Sequence, residues 1–152
     1  MDVINDNTGG LDGLGQLRAL LTAGVQSPIA DTMGFALVEI EPGVAILEGE
    51  PGRSVYNPIG SVHGGYAATL LDSACGCAAH SRLTADQGYT TLELKVSYHR
   101  PLSDASGRVR AEGRLLSFGR RAAFAEAKLM DAEGRLCASA TSTLLIFERK
   151  SD

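Results

Sequence analysis

One short stretch, "YNPIGSVHGGYAATLLDSACGCAAH" from Tyr56 to His80, holds the residues best suited to chemistry. A loop broken by Pro58 and Gly60 ends in His63-Gly64-Gly65. An almost wholly apolar run follows, with a single carboxylate, Asp72, in its middle. The run carries no proline from Gly64 to about Arg82, so it reads as one long, buried, central helix. The first N–H groups of a helix lack internal partners and form the positive end of its dipole. Gly64 and Gly65 present no Cβ there, so a ligand oxygen can approach the backbone, as an oxyanion site requires. A junction that needs glycine only for its conformation explains the same pair, and these three residues alone do not separate the two readings.

Asp72 shares a helical stripe with Thr69, Ser73, Gly76 and His80. A stripe that faces water usually carries Lys and Glu. This one is small, with one acid, and suits a cleft or a subunit contact. Held there, the carboxylate is a candidate general base; periodicity alone leaves a solvated face equally open. Gly64 and Asp72 lie eight positions apart, or about 12 Å along one helix. They cannot both touch one small reacting group. Either they do different jobs, or a two-fold dimer brings Gly64 of one chain toward Asp72 of the other.

Other elements must position these groups. "LDGLGQLRALLTAG" places Leu14, Leu17, Leu20 and Leu21 at helical spacing, with Gly24 as a stop. "FALVEIEPGVAILEGE" reads as a hairpin turning at Pro42-Gly43. In "TTLELKVSYHRP", strict alternation sets Leu92, Leu94, Val96 and Tyr98 on one face and Thr91, Glu93, Lys95 and Ser97 on the other. Three further strands follow through residue 148, and the four strands after the helix read as one antiparallel meander. The expected fold is α+β: an antiparallel sheet of five to six strands around one long helix, with an N-terminal helix. Residues 1–10 look flexible, and 11–152 read as a single domain.

Composition narrows the function. The chain of 152 residues has a net charge of -4 and 5% aromatic residues without Trp, so nothing favours nucleic-acid binding. No apolar run reaches the roughly 18 residues of a membrane span. The polar, acidic start "MDVINDNTGG" does not read as a secretory signal, and the three cysteines do not form a disulfide framework, so a cytoplasmic location is expected. Cys75 and Cys77 read as structural thiols within the helix. The histidines share no metal-ligand spacing with acids or cysteines. No G-x-S-x-G motif surrounds Ser73.

The combined pattern Asn57-x5-His63-Gly64-Gly65-x6-Asp72, followed by the "TTLELKVSYHRP" strand, closely resembles the hot-dog-fold acyl-CoA thioesterases of the phenylacetate-degradation type. The resemblance covers roughly residues 30–147. It implies hydrolysis of an acyl- or aryl-acyl-CoA, no metal or other cofactor, and a homodimer assembled into a homotetramer. By resemblance, Asp72 is the general base or nucleophile, Gly64 supplies the N–H that polarises the thioester carbonyl, and Asn57 is the loop amide beside it. His63 orients the loop, and Thr91 helps hold the attacking water. Direct and water-mediated attack both stay open, because some relatives carry Glu where this chain has Asp72. Gly65 lies beside the proposed carbonyl site. Arg100, Arg120 and Arg121 are candidates for the coenzyme A phosphates, although solvated turn charge explains each one as well. Two rival readings are an acyl-CoA-sensing module without catalysis and a hot-dog dehydratase or hydratase. The latter would need a catalytic His paired differently with an acid.

Overall fold

A tight turn at Pro42-Gly43 joins β1 (Phe35–Glu41) to β2 (Val44–Gly49), with Gly43 at φ 75 supplying the left-handed conformation. In this computed structural model, which describes residues 2–149, the chain continues into the central helix α4 (Gly64–His80). Four strands follow: β3 (Gln87–Tyr98), β4 (Val109–Phe118), β5 (Ala122–Met130) and β6 (Leu136–Glu148). Together the six strands form one antiparallel sheet in the order β1-β2-β4-β5-β6-β3, wrapped around α4.

The expected four-strand meander is corrected by this order. Only β4, β5 and β6 follow one another in space; β3 pairs with β6 and forms the far edge. The connection across residues 99–108 is too long for a hairpin turn and carries Pro101 and a single 3-10 turn at Asp104–Ser106. That length lets the chain cross to β2, where β4 pairs.

Small residues explain how closely helix and sheet approach. Leu70, Leu71, Ala74 and Ala78 of α4 are all 0% exposed. Ala111, Ala123, Ala125 and Ala127 face them from the sheet within the same core cluster. At Gly113 the fit is closer still, because a Cβ there would overlap the carbonyl of Ala74. Truncating a buried leucine such as Leu70 to Ala would cost about 2–5 kcal/mol.

The N-terminal part carries two short helices that the sequence reading did not include. The first, α1 (Val3–Thr8), lies within the stretch read as flexible. Asp2 caps it, its Oδ1 accepting from the Asn5 N–H at 3.0 Å, and Ile4 packs against the core. Helix α2 (Gly13–Ala23) ends at Gly24 in the left-handed conformation, as expected. The unforeseen α3 (Pro28–Met33) follows, with Pro28 in its first turn and Gly34 as its left-handed stop. Those two residues were legible helix signals.

Strand β3 also breaks its expected alternation. Its pairing with β6 steps from Thr91↔Leu144 to Glu93↔Thr143, leaving Leu92 as a bulged residue that is 60% exposed. Thr91 therefore shares the helix-facing side with Leu94 and Val96, which pack against the core.

Candidate active site

His63 starts α4. Its Nδ1 accepts from the Gly65 N–H at 2.8 Å, and its carbonyl accepts from the Tyr66 N–H at 2.9 Å. A Cβ on Gly65 would stand 2.9 Å from that Nδ1, so this cap requires glycine. The Gly64 N–H makes no hydrogen bond among the described residues. It is thus a free donor at the positive end of a 17-residue helix.

Tyr98 closes over this helix start. Its hydroxyl donates to the Gly64 carbonyl at 2.7 Å, and a Cβ on Gly64 would lie 3.0 Å from Tyr98 Oη and 3.1 Å from Cζ. A cavity of about 300 Å³ opens here, lined among others by Val62, His63, Gly64, Tyr98 and Arg100. Arg100 is the one candidate arginine that lines it. Sequence reasoning missed Tyr98, although its place on the same strand as Thr91, seven positions on, was readable.

Asn57 does not line this cavity. Its amide organises the preceding loop: Nδ2 donates to Ser61 Oγ at 3.0 Å, and Oδ1 accepts from the N–H groups of Ile59 and Ser61, each at 3.1 Å. The His63 N–H in turn donates to the Val55 carbonyl at 2.8 Å, fixing the loop end from which α4 starts.

Two turns further along α4, half-buried Asp72 accepts a hydrogen bond from Thr91 Oγ1 at 2.9 Å. Thr69 bonds back to its own helix, to the Gly65 carbonyl at 2.8 Å. Neighbouring thiols are not competing nucleophiles. Burial, reinforced by the charge of Asp72, pushes both Cys75 and Cys77 up to about 12.

The candidate groups thus sit along one line. Strand β3 runs beside α4, with Tyr98 against Gly64, Thr91 against Asp72, and Tyr89 against Gly76. That line is also one of the two unpaired edges of the sheet, the other being β1. Gly64 lines the cavity at the helix start and Asp72 does not. Arg120 and Arg121 lie elsewhere, exposed on the turn between β4 and β5. That turn precedes the row Ala123, Leu144 and Thr91, which spans three strands. Among the described residues, no group of three or more His, Cys, Asp or Glu side chains could hold a metal ion.

Comparison with known proteins supplies the family. The family model of the thioesterase superfamily matches residues 59–138, which include α4, β3, β4 and β5. The chain belongs to the thioesterase superfamily. It is 30% identical over 119 residues to the proofreading thioesterase EntH of Klebsiella pneumoniae, covering 78% of this chain and 85% of that protein. The 1,4-dihydroxy-2-naphthoyl-CoA hydrolase of Listeria monocytogenes is 24% identical over 122 residues, covering 80% of this chain and 98% of the relative. Among solved structures, a variant of the phenylacetic acid degradation protein PaaI from Thermus thermophilus superposes with a TM-score of 0.71 at 29% identity. It covers 78% of this chain and 98% of that one. The thioesterase described here is therefore a thioester hydrolase with the hot-dog fold, of the PaaI-like type. Its helices α1, α2 and α3 all precede the residues matched by the family model.

Proposed function

We propose that this thioesterase hydrolyses an acyl- or aryl-acyl-CoA to the free acid and coenzyme A, at a site shared between two protomers. The observation that carries the proposal is the pairing of a free Gly64 N–H with a Thr91-held Asp72 carboxylate along one sheet edge. A two-fold axis crossing β3 between Leu94 and Lys95 would set Thr91 of one chain beside Tyr98 of the other. The Asp72 of one protomer would then approach the helix start of its partner. Exposure of Leu92 and Tyr98, at 60% and 56%, fits an edge that is covered in the dimer.

The Gly64 N–H then donates to the thioester carbonyl oxygen and stabilises the negative charge that develops there. Asp72 either takes a proton from a water that attacks the carbonyl carbon, or attacks that carbon itself to form a mixed anhydride that water opens. Both routes break the carbon–sulfur bond, consume one water and release acid and thiol. Thr91 orients Asp72, His63 holds the helix start, and Asn57 shapes the loop before it. Gly65 keeps the cap open, and Arg100 offers a cation to the coenzyme A phosphates, with the Arg120-Arg121 turn as a second candidate. No metal or separate cofactor enters this scheme. The dimer is proposed to pair into a tetramer and to work in the cytoplasm; no helix among the described residues is long and apolar enough to cross a membrane.

Thiol release from an acyl-CoA panel tests the reading, with wild type and Asp72→Asn side by side. Turnover by wild type that collapses by at least about a hundredfold in the variant is expected. Equal turnover by both would remove Asp72 from the chemistry.

A further inference from the structure

A second cavity lies away from the Gly64 end of α4. It has a volume of about 450 Å³ and lies between the N-terminal helices and the later turns of α4. Its floor is Ser73, Cys77 and His80, a stripe that begins one residue after Asp72. Its walls include Ile4 of α1, Leu20 and Leu21 of α2, and Ala30 of α3. Tyr89, two residues before Thr91, closes one side. Asp72 itself does not line this space, which begins at the next residue, Ser73, and runs toward the C-terminal end of α4. Its roof comes from residues that precede the family-model match at 59–138.

The lining decides what fits. Most of its lining is apolar, with Leu17, Leu20, Val25, Phe35 and Phe147 among the side chains, and three of its polar side chains are bonded elsewhere in the protein. His80 Nε2 pairs with Gln16 Oε1 at 2.7 Å, Gln26 Oε1 accepts from the Leu37 N–H at 3.2 Å, and Arg149 donates to Asn5 Oδ1 at 2.8 Å. An apolar occupant matches most of this surface, whereas each polar group of an occupant that found no partner would cost about 1–3 kcal/mol. The Ser27, Ser73 and Tyr89 hydroxyls and the Cys77 thiol make no hydrogen bond among the described residues, and Ser73 and Cys77 lie on α4 after Asp72. An apolar cavity of about 150 Å³ accommodates one benzene; this one, at about 450 Å³, has room for a chain of medium length.

We infer that this cavity is the acyl chamber of the thioesterase, that it takes an aliphatic acyl group of medium length, and that α1–α3 set the length accepted. This rests on the hydrolytic reading proposed above and deepens it. The carbonyl lies at Asp72, and the chain extends over Ser73 and Cys77 toward Leu20 and Ile4. Coenzyme A leaves in the opposite direction, toward the sheet edge.

The test measures kcat/KM for butanoyl-, octanoyl-, palmitoyl- and hydroxybenzoyl-CoA with wild type, Ala30→Leu and Leu21→Trp, each confirmed folded by circular dichroism. Both variants place added bulk in the chamber. The expected result is a wild-type preference for octanoyl-CoA and an octanoyl-to-butanoyl ratio at least tenfold lower in either variant. A wild-type preference for hydroxybenzoyl-CoA, or an unchanged ratio in the variants, overturns the chamber. If wild type hydrolyses no member of the panel, the hydrolytic reading fails and calorimetric titration with decanoate decides the chamber separately. Decanoate binding that Leu21→Trp abolishes upholds it, and absence of binding by wild type overturns it.

Discussion

Thr91 Oγ1 reaches Asp72 Oδ1 at 2.9 Å because Leu92, the next residue, is bulged out of β3. Without the bulge, alternation would turn either Thr91 or the Leu94–Val96 pair away from α4. The bulge lets one strand place a hydroxyl on the carboxylate and still fill the core beyond it. Bulges recur beside active sites for this reason.

Thr91→Val tests that arrangement. It removes the donor and leaves the branched shape, so Asp72 loses its orientation but keeps its packing. Turnover should fall about tenfold, equivalent to about 1.4 kcal/mol, with KM little changed. Steady-state thiol-release kinetics would show it, and Thr91→Ser should recover most of the loss. A Val variant as fast as wild type would leave the hydroxyl without a role.

A shared site makes a sharper prediction. Gly64→Ala should be inactive because its Cβ would crowd Tyr98 Oη at 3.0 Å and displace the helix start. Asp72→Asn should be inactive for loss of the base. Mixed and re-assembled, the two inactive chains form heterodimers that each contain one intact pairing of Gly64 and Asp72. About a quarter of wild-type activity should return if half of the dimers are mixed. Mixtures that stay inactive after demonstrated exchange would place each site within one chain.

His80 makes stability depend on pH. Burial first, and the charge of Arg149 second, push its imidazole down from 6.5 to about 4. The ring packs edge-on against Tyr89 and hydrogen-bonds Gln16. Between those two pH values, the unfolded chain binds a proton that the native protein excludes. The group's contribution is therefore complete above about pH 6.5, is lost as pH falls toward 4, and changes no further below that. The loss amounts to about 3 kcal/mol. Urea unfolding of wild type and His80→Gln across this range should show a shallower decline for the variant. Parallel declines would assign the acid sensitivity to other groups.

Gly113→Ala should destabilise the protein although alanine suits a strand at least as well as glycine. The added Cβ would meet the Ala74 carbonyl, a backbone atom that cannot rotate away. Overpacking of this kind costs about 1–3 kcal/mol, readable as a lowered urea midpoint with an unchanged slope. A neutral result would mean that α4 can lift from β4 without loss.

Much of the architecture was legible because it follows from local rules. Gly24 after a leucine-spaced run marks the end of α2, and Pro42-Gly43 marks the hairpin. The unbroken run from Gly64 is α4 to within two residues of its expected end. Helix α3 was missed because its six residues are too few for periodicity to register, although Pro28 and Gly34 bracket it. Helix α1 was missed because its polar composition hides the Asp2 cap.

The sequence by itself determined the candidate chemistry: a glycine pair at a helix start, a carboxylate two turns on, and a family pattern that joins them. It also determined that the two cannot meet within one helix, since eight residues of helix have a fixed length. Only the tertiary structure decided that β3 crosses to the sheet edge, that Thr91 rather than Leu92 faces Asp72, and that Tyr98 borders Gly64. Strand order and bulges arise from how distant segments fit against one helix. Those fits depend on contacts between residues far apart in the chain, which alternation within a single segment cannot encode.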